Sequence, residues 1–139
     1  MGIYEKIRAL PDCMNSIDLR TIYIEILNED KNGKYSKVEI ARALWELSNR
    51  QWHTYELIDD ELKILIADWI EKSWDLMPID RLHLIVGICA MLAIPKGLEL
   101  LNRTIEKITD RGIAAELNDE RVDLEKSVID PFYDMKKFK

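Results

Sequence analysis

Oxygen-bearing side chains are concentrated between Asn28 and Glu39, in the run N-E-D-K-N-G-K-Y-S-K-V-E. Counting from Asn28 as position one, they fall at one (Asn28), three (Asp30), five (Asn32), nine (Ser36) and twelve (Glu39), with Gly33 at six. Such spacing suits a hard cation, which takes about six to eight oxygens at short range. Alternate residues of a tight loop point inward, a glycine allows the sharp turn, and a terminal Glu closes the shell with both oxygens. Lys34, at position seven, would contribute its backbone carbonyl.

The pattern resembles the EF-hand calcium loop, D-x-[DN]-x-[DN]-G-x5-E. Leu19, Ile22, Tyr23, Ile26 and Leu27 before it, and Ile40, Ala43, Leu44 and Leu47 after it, recur at helical spacing. The resemblance spans about 30 residues of helix–loop–helix. It implies a calcium-binding module with Asn28, Asp30, Asn32, Lys34, Ser36 and Glu39 as ligands. Asn28 replaces the usual Asp, Tyr35 replaces a small aliphatic residue, and the chain has no second loop. A site of that kind would bind at about 10⁻⁴ to 10⁻³ M. The same residues also fit an ordinary turn between helices. Asn32-Gly33 is a turn signal, and Ser36-x-x-Glu39 is a capping box in which each side chain satisfies the other's backbone.

A second acidic concentration includes Asp68, Glu71 and Asp75, three and four residues apart and therefore on one helix stripe. Paired carboxylates on facing helices hold magnesium for phosphate chemistry. Asp68-x-x-Glu71 is similar to one half of the E-x-x-E and E-x-x-D sets of all-helical nucleotide pyrophosphohydrolases, whose full pattern the chain lacks. A solvated acidic face is the other reading of this stripe. The two histidines, His53 and His83, belong to no metal-binding pattern. His83 is the acid–base candidate, because a polar group on a buried helix needs a partner. No G-x-S-x-G, Walker loop or G-x-G-x-x-G occurs, so covalent serine catalysis and a nucleotide cradle have no support. Of four tryptophans, Trp69 fits a core face. Trp52 and Trp74 lie at helix ends, where partial exposure is expected. With His53 and Tyr55 they form a candidate partner surface.

These residues need helices to position them. The spacing predicts a short helix from Gly2 to Leu10 ended by Pro11, then one capped by Asn15 or Ser16 and running to Asn28. A third covers Lys37 to Asn49, with Val38, Ala41, Leu44, Trp45 and Ser48 on one face. Glu39, Arg42, Glu46, Asn49 and Arg50 form the other, read as solvated with weak ion pairs. Thr54 is the expected cap of a fourth helix reaching Trp74, with Asp59-Asp60 as a point of interruption, buried through Ile58, Leu62, Leu65, Ile66, Trp69 and Ile70. Pro78 opens a segment from Ile79 to Ala93 whose second half, L-I-V-G-I-C-A-M-L-A-I, is apolar all round and therefore buried on every side. Pro95 begins a sixth helix that Gly112 would stop, and Asn118 or Asp119 caps a last one to Val128. Phe132 and Tyr133 are expected anchors in the tail.

The expected fold is all-α, a single domain over residues 1–139 forming a compact bundle of about six or seven helices around the buried apolar helix 79–93. Five glycines and four prolines among 139 residues fit few turns and long helices. A net charge of −6 does not favour binding to a nucleic-acid backbone and suits a cation or a basic protein partner. Cys13 and Cys89 form no metal-like spacing and are expected as reduced thiols, Cys89 buried. The run Leu84–Ile94 falls short of the roughly 18–20 residues that span a bilayer. With no signal peptide at the start, a cytoplasmic location without membrane association is the expectation. The leading functional expectation is a non-enzymatic protein-binding module, of inhibitor, immunity or adaptor type. A calcium or magnesium module at 28–39 and a metal-dependent nucleotide or nucleic-acid enzyme are the alternatives. A homodimer is compatible with the spare aromatic surface.

Overall fold

Apolar side chains recurring every three to four residues wind the chain into α1 (Ile3–Arg8), α2 (Ser16–Lys31), α3 (Lys37–Trp52), α4 (Asp60–Ser73), α5 (Leu82–Leu92), α6 (Pro95–Lys107) and α7 (Arg111–Ile129). Single 3₁₀ turns at Trp74–Leu76 and Ile79–Arg81 link α4 to α5. The computed structural model describes residues 2–11 and 13–132, and the described residues contain no strand. The fold is an all-α bundle, as the spacing predicts. Tyr133, expected as an anchor, lies outside the described residues.

Two helices share the centre. α3 packs against α1, α2 and α5, and α5 packs against α3, α6 and α7. The segment expected as one helix over 79–93 is therefore a 3₁₀ turn followed by the shorter α5. Ala93, in a left-handed conformation (φ 57°), ends that helix. Close approach is built into two of its contacts. A side chain on Gly87 would meet Trp45 Nε1 of α3 at 2.7 Å, and one on Gly97 of α6 would press on Cys89.

Several boundaries differ from the sequence expectation, each for a local reason. α4 starts after Asp59, whose carboxylate accepts from the Leu62 N–H at 2.8 Å. Thr54 does not cap it. The Thr54 hydroxyl donates to Gln51 O at 2.6 Å, closing the end of α3, and Tyr55 at φ 59° breaks the helical path. α7 starts after Asp110, which accepts from the Gly112 and Ile113 N–H groups at 2.9 and 3.1 Å. Gly112 thus opens a helix rather than stopping one, and Asn118 and Asp119 lie inside it. A carboxylate at the N-cap gains from both the orphan donors and the helix dipole, and Asp59 and Asp110 stand where the chain enters α4 and α7.

The polar face of α3 also differs. Arg50 was expected in water, yet it is only 5% exposed. Its guanidinium donates to the Pro11 carbonyl (3.1 Å), the Leu10 carbonyl (3.1 Å), the Arg8 carbonyl (3.4 Å) and the Glu46 carboxylate (3.1 Å). It closes the C-terminal end of α1, where orphan carbonyls and the negative dipole end favour a cation. On the buried face, the Tyr23 hydroxyl donates to Ser48 Oγ at 3.0 Å, and Ser48 donates to Leu44 O at 2.7 Å.

The two thiols occupy opposite environments. Cys13 is exposed, while Cys89 is buried and burial pushes its thiol up to about 12. A thiol reagent at pH 8 is expected to modify Cys13 rapidly and Cys89 only after unfolding, since the thiolate is the reactive form. Release of both equivalents at the same rate from the native chain would contradict this burial.

Candidate functional site

α2 and α4 lie side by side and run in the same sense. Near their starts, Arg20 bonds Asp59 at 2.6 Å and approaches Glu61 at 3.6 Å. The Leu62 N–H, and then the Arg20 guanidinium, hold the Asp59 carboxyl below its usual range. Near their ends the helices part into a cleft of about 160 Å³. Its walls are Ile24, Leu27, Asn28 and Lys31 of α2 facing Leu65, Asp68, Trp69 and Lys72 of α4. Both sets have i, i+3, i+4, i+7 spacing, so each is one continuous stripe along its helix. Ser73 of α4, with Asp30 and Lys37, completes the lining.

The rim is charged and paired. Lys37 Nζ reaches both Asp30 oxygens at 3.0 and 2.9 Å, and Lys72 pairs with Asp68 at 2.9 Å. The floor is apolar with two exceptions. Trp69 Nε1 and Ser73 Oγ are both buried, and neither has a hydrogen-bond partner among the described residues. The residues are 6% and 0% exposed.

Three sequence candidates meet at this cleft: Asn28, Asp30 and Asp68. The others lie elsewhere. α2 continues helically through Lys31, Asn32 is its C-cap, and Gly33 takes φ 69°. Asn28 and Asp30 therefore stand on a helix, and Asp30 is engaged by Lys37. Ser36 and Glu39 form the full capping box of α3, with Ser36 Oγ accepting from the Glu39 N–H at 3.2 Å. Lys34 stacks its ammonium over the Tyr35 ring at 5.5 Å. Among the described residues no group of three or more His, Cys, Asp or Glu side chains is arranged to hold a metal ion.

The acidic stripe is divided. Asp68 pairs with Lys72, Glu71 lies 3.7 Å from Lys96 of α6, and Asp75 falls in the 3₁₀ turn, next to Arg103 and Lys107. His83 is exposed rather than buried, with Nδ1 3.1 Å from Asp80 O. Burial pushes the carboxyl of Glu120 of α7 above its usual range, and nearby His83 opposes that shift.

The expected aromatic partner surface is also split. Trp74 was expected to be partly exposed, but it is 4% exposed and donates to Thr104 Oγ1 at 2.7 Å, so it belongs to the core. Trp52 donates to Pro131 O at 2.6 Å and stacks on Phe132, which also stacks on Tyr55 at 5.6 Å. Pro131 and Phe132, just beyond α7, thus cover part of that surface. His53 is exposed at the C-cap of α3, edge-on to Trp52 at 5.2 Å.

No protein-family model matches the chain, and no curated protein or solved structure matches it. The site is therefore read from its own chemistry. Sequence reasoning placed Trp69 on the core face and did not single out Ser73. The available signal was a serine one turn beyond a tryptophan on an otherwise apolar stripe. Among the described residues, no helix is long and apolar enough to cross a membrane.

Proposed function

We propose that the chain is a non-enzymatic binding module whose partner is a basic protein, docked as an amphipathic segment along the seam of α2 and α4. One observation carries this reading: large apolar side chains stand in water beside an acidic helix. Ile17 is 79% exposed, Ile64 69% and Leu57 56%. Ile17 and Leu57 border the same shallow groove at the upper end of the seam. Ile64 continues α4's outer face one turn beyond Asp60 and Glu61. From Glu56 to Lys72 there are six carboxylates and two lysines, and Arg20 of α2 and Lys96 of α6 reduce the acidic excess to two. Exposed apolar side chains rimmed by charge are the usual make-up of a contact surface, and an acidic field attracts and orients a basic partner. Inhibitor, immunity and adaptor proteins share these traits, an analogy of class rather than of descent.

Selection of peptides from a random display library against the intact chain tests this. The expected winners carry Lys or Arg together with apolar residues at helical spacing, and they lose affinity as salt rises. A Leu57→Asp/Ile64→Asp variant should lose about tenfold or more in affinity. Its melting temperature should hardly move, since both sites are exposed. Winners that are acidic, or that bind this variant unchanged, would refute the reading.

A further inference from the structure

We propose that the cleft at the lower end of the α2–α4 seam binds a small organic carboxylate with an apolar body about one ring in size. Its donors and apolar walls are other residues than the exposed Ile17, Leu57 and Ile64 of the partner reading, and it stands whether or not a protein covers the upper end of the seam.

The donors come first. Trp69 and Ser73, one turn apart on α4, line the cleft, and their Nε1 and Oγ atoms are buried with no hydrogen-bond partner among the described residues. An indole N–H can only donate, and a serine hydroxyl can donate beside it. Buried donors are nearly always satisfied in native proteins, because leaving one unmade is costly. Two donors one helical turn apart select an acceptor, and a charged acceptor most strongly.

The charge at the mouth agrees. Lys37 and Lys72 are balanced by Asp30 and Asp68. Lys31 also lines the cleft and forms no ion pair with a described residue, leaving one uncompensated positive charge. One surplus cation suits a monoanion rather than a phosphate ester or a polyanion.

Size sets the rest of the ligand. Ile24, Leu27 and Leu65 give the cleft apolar walls, and its volume is about 160 Å³. A protein cavity of about 150 Å³ holds one benzene. A nucleotide or a long acyl chain would not fit, whereas an aromatic acid with a single ring would, its carboxylate directed toward Trp69, Ser73 and Lys31.

Titration of the full chain with benzoate, phenylacetate or hexanoate, followed by NMR of the tryptophan indole N–H signals, tests the proposal. Trp69→Phe assigns the relevant signal. The expected result is saturable binding with a downfield move of the Trp69 signal. Benzyl alcohol, which lacks the charge, should bind about tenfold more weakly or worse. Ser73→Ala removes one donor with little change of shape, and Trp69→Phe removes the other while also leaving a smaller ring in the core. Each should weaken benzoate binding roughly tenfold, read from the remaining signals. Lys31→Gln should weaken it as well. The Leu57→Asp/Ile64→Asp variant should bind benzoate normally, which separates this proposal from the partner reading. Three results would overturn it. One is no movement of the Trp69 signal with any of the acids at about 20 mM, far above a millimolar Kd. Another is benzoate binding that ignores both donor variants. The third is cross-relaxation between the Trp69 N–H and a long-lived water that no acid displaces.

Discussion

Replacing Arg50 with alanine is expected to destabilise the protein by about 3 kcal/mol, the scale of losing several hydrogen bonds to a buried charge. The guanidinium serves the carbonyls of Arg8, Leu10 and Pro11 and the Glu46 carboxylate at once. Its removal leaves the end of α1 uncapped and the Glu46 charge without its cation. The helix it secures is only six residues long and is anchored in the core by Ile3 and Ile7. A helix that short has no stability of its own, so it depends on tertiary support. For a chain of this size the melting temperature should fall by about 10 °C. Amide protection in Ile3–Arg8 should collapse further than the global loss accounts for. Arg50→Lys keeps the charge but not the planar fork of donors, and should recover less than half of the loss. An alanine variant melting within about 2 °C of the parent would show that these contacts carry little of the stability.

Gly97→Ala is the second large effect, and its sign is informative. At an open helical position this change adds roughly 0.5–1 kcal/mol of stability, because alanine loses less backbone freedom on folding. Gly97 lies in the first turn of α6, against α5. A methyl group there would come within 2.8 Å of Cys89 Cβ and closer still to its sulfur. Cys89 is fully buried, so it cannot swing out into solvent. Overpacking of this kind costs about 1–3 kcal/mol, enough to reverse the helix-propensity gain. Cys89→Ala removes the sulfur but not Cβ, so the double variant should recover part of the loss. The coupling between the two sites should be about 0.5–3 kcal/mol in a double-mutant cycle. A stabilised Gly97→Ala variant, or strict additivity with Cys89→Ala, would mean that α6 stands further from α5 than the structure places it.

The two effects mark where sequence and structure part. The helical framework was legible because period and punctuation are local. Leu19, Tyr23, Ile26 and Leu27 share one face of α2 as their spacing requires, and Pro11, Pro78 and Pro95 lie at or beside helix boundaries. Starts were less legible where several capping residues compete. Asp59 and Asp110 won over Thr54, Asn118 and Asp119 through hydrogen bonds and dipole alignment that depend on the final backbone path. Arg50 was not legible at all. Paired with Glu46 four residues earlier, it looks like any solvated i, i+4 ion pair. Its burial depends on where the end of α1 docks, some forty residues away in the chain. The candidate site shows the same limit. Asn28, Asp30 and Asp68 each stood out by type, but their meeting depends on α2 lying beside α4. Trp69 and Ser73 are neighbours by helical arithmetic alone, and a polar atom on a buried stripe was the one local clue.

The clasp of Pro131 and Phe132 on Trp52 spans 79 residues of sequence. That separation bears on the time course of folding. The clasp can close only after α4 to α7 have brought the end of α7 back to the end of α3, and among the described residues it then rests on one hydrogen bond and two ring contacts. Such a late, thinly supported contact belongs among the last to form and the first to open. Trp52 is thus a natural clock for the final step of folding, reporting when the chain has closed on itself rather than when its core has condensed.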